Sequence, residues 1–152
     1  MSKYPLPTPA DIDSKSKQLG FEIPKEYAEF LLTFNAGRPE KRVFKQSQNA
    51  EAFPDFVVKY FLGIDINDDD ESCDLYAQYI DIIGQLPTGL LPIAYDSAEN
   101  LLVLGTQNSN YNKVYKLLAS DDPGYEKYTR FAPELLCNSF NEFLNALESE
   151  LL

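Results

Sequence analysis

Three short apolar runs separated by polar segments occupy residues 86–118, and this spacing restricts the fold more than any other part of the chain. The runs cover residues 90–95, 101–105 and 113–118. Each is five or six residues long, which is too short for a helix and typical of a strand. The connections are rich in Asp, Ser, Asn and Gly, which favour turns. Because such short connections cannot cross over to a parallel neighbour, the stretch predicts an antiparallel meander at the centre of a sheet.

Helical periodicity and capping residues predict four helices, at residues 8–19, 24–35, 72–83 and 137–152. The third and fourth predicted helices each carry an apolar stripe that we expect to face the core. These stripes consist of Leu75, Tyr76, Tyr79, Ile80 and Ile83 in the third helix, and of Phe140, Phe143, Leu144, Leu147 and Leu151 in the fourth.

Two further strands are predicted before the third helix. Residues 42–45 have the charged flanks typical of an edge strand, and residues 56–64 are rich in β-branched and aromatic side chains. Gly63 near the end of the second strand predicts a bulge or a close approach of another backbone segment.

Charge is distributed unevenly along the chain. Residues 1–60 carry nine Lys or Arg against eight Asp or Glu, whereas residues 61–152 carry four basic against sixteen acidic residues, which gives the net charge of −11. An acidic surface of this kind repels phosphate backbones, so we do not expect direct nucleic-acid binding. It favours instead a rapid encounter with a basic protein.

Length and apolar content predict one domain with a substantial core, since the chain has 152 residues of which 44% are hydrophobic. No apolar run approaches the roughly 20 residues that span a bilayer, and residues 1–11 lack the apolar region of a secretory signal. Cys73 and Cys137 are far apart and fit no metal-ligand spacing. We interpret them as reduced thiols of a cytoplasmic protein, with a disulfide as the alternative.

The acidic segment at residues 65–71 has three interpretations. Asp65, Asn67 and Asp69 match the first, third and fifth ligands of a calcium loop, but Asp70 stands where Gly is needed and Tyr76 where Glu is needed. A solvated loop before a helix N-terminus is the simplest interpretation, and an acidic recognition patch is the third. We therefore predict no metal site.

Residues suited to catalysis are scarce. The chain has no histidine, which removes the usual nucleophile–base pairs, and it has neither of the common glycine-rich phosphate-binding motifs. Asp96 and Glu99 are a possible acid–base pair, but their place between two predicted strands is typical of a turn. The sequence therefore favours a protein that is not an enzyme.

Three stretches, taken in order, carry a resemblance to one known family. LGFEIPKEYAEFLLTFNAG at residues 19–37 is similar to that family's opening pattern of glycine, Ile-Pro, Tyr and an apolar helix. GLLPIAYDSAENLLVLGTQNSNYNKVYKLL at residues 89–118 is similar to its central strands, and NSFNEFLNAL at residues 138–147 matches its terminal helix. With these three stretches the chain resembles the SUKH superfamily, which includes the yeast Smi/Knr cell-wall regulators and many bacterial immunity proteins.

The resemblance implies an α+β fold. It predicts a single domain over residues 1–152, with a mostly antiparallel sheet of about five to six strands, helices packed against it, a helical N-terminus and a C-terminal helix. It also implies a non-catalytic protein without a cofactor. Bacterial members are known mainly as immunity proteins that bind toxins, often nucleases, so the implied partner is a basic toxin. A regulatory or scaffold module of the Smi/Knr type is the alternative.

Acidic side chains and tyrosines near the ends of the meander are the candidate partner-binding residues. Charges that would steer a basic partner are predicted at Asp68, Asp69, Asp70 and Glu71, and further ones at Asp96, Glu99, Asp121 and Asp122. Tyrosine often dominates interface energetics, although ordinary packing is the alternative role. The candidate anchors are Tyr95, Tyr111 and Tyr125.

Overall fold

A seven-stranded antiparallel sheet organises the computed structural model, which describes residues 4–45, 55–66 and 73–149. The strands are β1 (Val43–Phe44), β2 (Phe56–Phe61), β3 (Leu90–Asp96), β4 (Leu101–Gly105), β5 (Val114–Leu117), β6 (Glu134–Cys137) and β7 (Leu147–Glu148). Their spatial order is β6-β5-β4-β3-β2-β1-β7. The helices are α1 (Pro9–Leu19), α2 (Lys25–Leu31), α3 (Leu75–Ile82) and α4 (Phe140–Ala146), and a 3₁₀ turn at Ile83–Gln85 follows α3. The α+β prediction is confirmed, with one strand more than the upper expectation.

The predicted meander is confirmed as the middle of the sheet. Every residue of β3 and of β4 is buried, and the two strands pair with Leu91 opposite Leu104 and Tyr95 opposite Leu101. Continuous apolar runs of this kind are typical of strands covered on both faces. β3, β4 and β5 therefore form the rigid platform on which the loops at their ends are held.

An aromatic cluster attaches α2 and α4 to the sheet. The ring of Tyr27 lies 5.0 Å from that of Phe140, and the ring of Phe30 lies 5.0 Å from that of Phe61, both edge-on. The buried Tyr27 hydroxyl shares its one hydrogen between the carbonyls of Leu62 and Ile93, the latter at 3.2 Å. These contacts fix the helices relative to β2 and β3.

The second helix is shorter than the predicted range of 24–35, since α2 ends at Leu31. The chain turns because Ala36 adopts a left-handed conformation, with φ of 69°, and because the Asn35 side chain bonds the backbone of Ile64 at 2.8 and 2.9 Å. The predicted close approach at Gly63 is confirmed here. A β-carbon on Gly63 would lie 2.6 Å from the amide nitrogen of Ala36.

The predicted apolar stripe of the third helix is wrong in part. Leu75 and Ile82 are buried, whereas Ile80 and Ile83 are 51% and 47% exposed. Ile80 lies about 140° around the helix from Leu75, so it faces solvent once Leu75 faces the sheet. The change to a 3₁₀ turn after Ile82 rotates Ile83 off the buried stripe.

The fourth predicted helix is also shorter than residues 137–152. It ends at Ala146, and Leu147 continues as the extended strand β7, opposite Phe44 of β1. Because β7 covers β1, the prediction that residues 42–45 form a sheet edge is wrong. Glu134–Cys137 form β6, an edge strand that the sequence did not predict and whose last residue, Cys137, was assigned to the fourth helix.

The remaining expectations concern membranes and cysteines. No helix among the described residues is long and apolar enough to cross a bilayer. Cys73 and Cys137 are both free thiols, the first half-buried and the second buried.

Candidate functional site

A buried ion pair lies beneath the turn that joins β3 to β4. The Asp96 carboxylate accepts hydrogen bonds from the amides of Ala98 and Asn100 at 2.9 and 2.8 Å, and from the Asn100 side chain at 3.1 Å. Lys116 Nζ of β5 lies 3.4 Å from Asp96 Oδ2 and 4.2 Å from the Phe56 ring centroid. The exposed fractions of the Asp96 and Lys116 side chains are 1% and 5%. Asp96 therefore closes the turn and offers no charge to a partner.

Glu99 belongs to the same turn and has the opposite environment. It adopts a left-handed backbone conformation, with φ of 67°, and its side chain is 54% exposed. Its carboxylate accepts a hydrogen bond from Lys59 Nζ at 3.0 Å, and this bond lowers the pKa of Glu99. Glu99 is thus held at the surface, beside the opening described next.

A polar opening of about 260 Å³, hereafter the cleft, lies beside this turn. Its walls come from α3 and the turn after it, from β2 and β3, and from the irregular segment at residues 119–133, hereafter the excursion. The polar side chains lining it are Tyr60, Gln78, Asp81, Gln85, Tyr95, Glu99, Lys127 and Tyr128.

Two buried tyrosines form the inner wall of the cleft. The Tyr95 hydroxyl donates to Gln78 Oε1 at 2.6 Å, and the Tyr128 hydroxyl donates to the carbonyl of Glu99 at 3.1 Å. Burial is the main cause that raises the pKa of both phenols. The neighbouring phenols of Tyr128 and Tyr60, and then the carboxylates of Asp81 and Glu99, raise the pKa of Tyr95 further.

The other predicted partner-binding residues that the structure describes do not line the cleft. Tyr111 is 47% exposed, and its hydroxyl accepts a hydrogen bond from the Lys25 amide at 3.0 Å, so it ties its loop to the start of α2. Tyr125 is 50% exposed on the excursion, where Asp121 is exposed as well. Asp122 pairs with Arg130 at 3.6 Å.

The predicted residues that the structure describes thus divide into four groups. Tyr95 and Glu99 come together in the cleft, Tyr125, Asp121 and Asp122 lie on the excursion, Tyr111 lies beside the start of α2, and Asp96 is buried. Asp68, Asp69, Asp70 and Glu71 lie outside the described residues, as does Asn67 of the calcium-like pattern.

Sequence reasoning missed six polar residues of the cleft, namely Tyr60, Gln78, Asp81, Gln85, Lys127 and Tyr128. A signal was present for three of them. Gln78, Asp81 and Gln85 recur at i, i+3 and i+7, which places a polar stripe along one side of α3 and its following turn. Nothing local marks Lys127 or Tyr128.

A second opening of about 330 Å³ is lined by cations and aromatic rings rather than by carboxylates. Its walls include Phe34, Arg38, Lys59, Tyr60 and Cys73. In the parts of the chain that the structure describes, no group of three or more His, Cys, Asp or Glu is placed to hold a metal ion.

Comparison with known proteins gives one clear match. A model of the family described as SMI1 / KNR4 family (SUKH-1) matches residues 6–146, which includes every described helix and all strands except β7. No curated protein sequence gives a significant match. Since the match spans well over half of the chain, the chain belongs to the SMI1/KNR4 (SUKH-1) family.

Proposed function

We propose that this chain is a cytoplasmic immunity protein that neutralises a basic toxin by binding it directly and without catalysis. Membership of the SMI1/KNR4 (SUKH-1) family supports a non-catalytic immunity or regulatory role at the level of the family. The observation that carries the more specific proposal is the charge of residues 61–152, with sixteen acidic against four basic side chains.

The described part of that region contains carboxylates that are available to a partner. Asp81, Asp121 and Glu126 are exposed and take part in no ion pair among the described residues. Exposed charges of one sign raise the rate at which an oppositely charged protein is encountered, and salt screens this effect. A nuclease holds nucleic acid on a basic surface. It is therefore a class of toxin that the acidic surface of this chain fits.

The test first asks whether an adjacent gene encodes a secreted protein with a C-terminal toxin domain, and then uses that domain. Expression of that domain alone should arrest a susceptible host, and co-expression of this chain should restore growth. The association rate of the two purified proteins should fall as salt rises from low to physiological concentration. No rescue, or a rate that is independent of salt, would contradict the proposal.

The regulatory alternative rests on the proteins that the family's description names, SMI1 and KNR4. A gene that stands among housekeeping neighbours, with no toxin domain beside it, would favour that role.

A further inference from the structure

The inner surface of the cleft carries hydrogen-bond acceptors from three side chains, beside donors from Lys127 and from the amide groups of Gln78 and Gln85. The hydroxyl hydrogens of Tyr95 and Tyr128 are already donated inward, to Gln78 and to the Glu99 carbonyl, so both phenol oxygens are left with accepting capacity. The Asp81 carboxylate, which accepts only, lines the same space. A ligand with several donors is therefore complementary to these three acceptors.

The charges around the cleft point in the same direction. Asp81 has no ion pair among the described residues, whereas Glu99 is shared with Lys59 at 3.0 Å. The one cation in the lining, Lys127, has its Nζ 5.6 Å from the centroid of the Tyr128 ring. A cation from this chain already lies against an aromatic ring at the cleft, and a second cation would be drawn to the unpaired Asp81.

Size and wall chemistry narrow the ligand further. The volume of about 260 Å³ is below the roughly 300–1,000 Å³ typical of small-molecule sites, and it suits one long side chain. The Tyr60 and Tyr95 rings lie 5.5 Å apart and present aromatic surface. A guanidinium has five donors in a planar fork and stacks on aromatic faces, whereas an ammonium is compact and strongly hydrated.

We propose that the cleft receives one arginine side chain of the basic partner protein, with Asp81 and the phenol oxygens of Tyr95 and Tyr128 as its acceptors. This inference rests on the proposed function and adds the point of contact. It makes the cleft the specific part of the interface, while the acidic surface around it supplies long-range attraction.

The experiment uses the full ¹⁵N-labelled chain and a blocked Gly-Arg-Gly peptide, with the same peptide containing citrulline as the neutral isostere. The arginine peptide should give saturable chemical-shift changes at the amides of Gln78, Asp81 and Glu99. The citrulline peptide should not. Asp81→Asn should weaken arginine-peptide binding about fivefold, as expected for loss of a partly exposed ion pair.

Two further variants separate the cleft from general acidity. Glu29→Gln makes the same change of charge on an exposed residue of α2, outside the cleft, and should leave binding unchanged. Lys127→Gln removes the competing cation and should strengthen binding. Equal effects of Asp81→Asn and Glu29→Gln would overturn the inference, as would equal binding of the two peptides.

Spermidine, a polyamine, tests whether the occupant of the cleft is a free cation and not a protein side chain. If spermidine saturates the cleft while the arginine peptide does not bind there, the proposed occupant is wrong. Rescue from the toxin with no peptide binding at the cleft would overturn this inference and leave the proposed function standing. Loss of rescue with intact peptide binding would contradict the proposed function and leave the binding of arginine in the cleft standing.

Discussion

An aspartate is the central acidic group both in the ion pair beneath the β3–β4 turn and in the cleft beside it. The two sites differ in their exposure to solvent. In the first, Asp96 and Lys116 are almost fully buried and each satisfies the other. In the second, Asp81 lies open beside two phenols that already donate inward. The difference separates polar groups that determine the fold from polar groups that a partner can use.

The largest effect is expected at the buried pair. Asp96→Ala leaves the Lys116 ammonium buried without its ion-pair partner and removes the acceptor of the turn amides. Breaking a buried pair from one side costs about 3–5 kcal/mol, so the free energy of unfolding from urea denaturation should fall by that amount. Asp81→Asn should change it by less than about 0.5 kcal/mol, as for most surface substitutions.

A double variant tests whether the charge itself is responsible. Asp96→Asn combined with Lys116→Met keeps an acceptor for the turn amides and removes both charges, and replacing a buried pair by uncharged groups is often close to neutral. The double variant should therefore be more stable than Asp96→Ala. If the two unfold at the same urea concentration, the ion pair is not what stabilises this turn.

Removing a tyrosine hydroxyl should have the next largest effect on stability, and the effect should differ between the core and the cleft. Tyr27→Phe removes hydrogen bonds to the carbonyls of Leu62 and Ile93 in the core, and should cost about 1–3 kcal/mol of unfolding free energy because those acceptors lose a buried partner. Tyr95→Phe removes one bond, to Gln78 at the wall of the cleft, where water can take its place. We expect a smaller loss, about 0.5–1.5 kcal/mol, from the same urea measurement. A larger cost for Tyr95→Phe would mean that its hydroxyl is a core group.

The sequence predicted the centre of the fold well because that information is local. Runs of five or six apolar residues between turn-forming segments are sufficient to identify β3, β4 and β5. The sheet margins were missed for the opposite reason. Leu147 continues a helical apolar pattern, and only its pairing with Phe44, about a hundred positions earlier, makes it a strand. Tertiary pairing overrides local propensity in such cases.

The candidate site was predictable only in part. Asp96 and Glu99 are three residues apart in one turn, and nothing in the sequence indicates that one is buried and the other exposed. The burial of Asp96 depends on Lys116 from another strand. The cleft brings Asp81 of α3 together with Lys127 of the excursion, and periodicity within one segment cannot reveal such a meeting.

The smallest expected effect is the pH dependence of the exposed pair between Glu99 and Lys59. The hydrogen bond from Lys59 lowers the pKa of Glu99 in the folded state, so its contribution to stability is present above the unfolded pKa of about 4.3 and is lost as the pH falls through the folded pKa. Glu99→Gln should therefore be less stable than the parent at pH 7 by under about 1 kcal/mol, as for other exposed pairs. Urea denaturation should show that the difference in unfolding free energy between the parent and Glu99→Gln becomes smaller as the pH falls from about 5 to about 3. In a Lys59→Gln background, the stability difference caused by Glu99→Gln should change little with pH. If that difference is also constant with pH in the parent background, the substitution acts through a steric effect at the left-handed position of residue 99 and not through the charge.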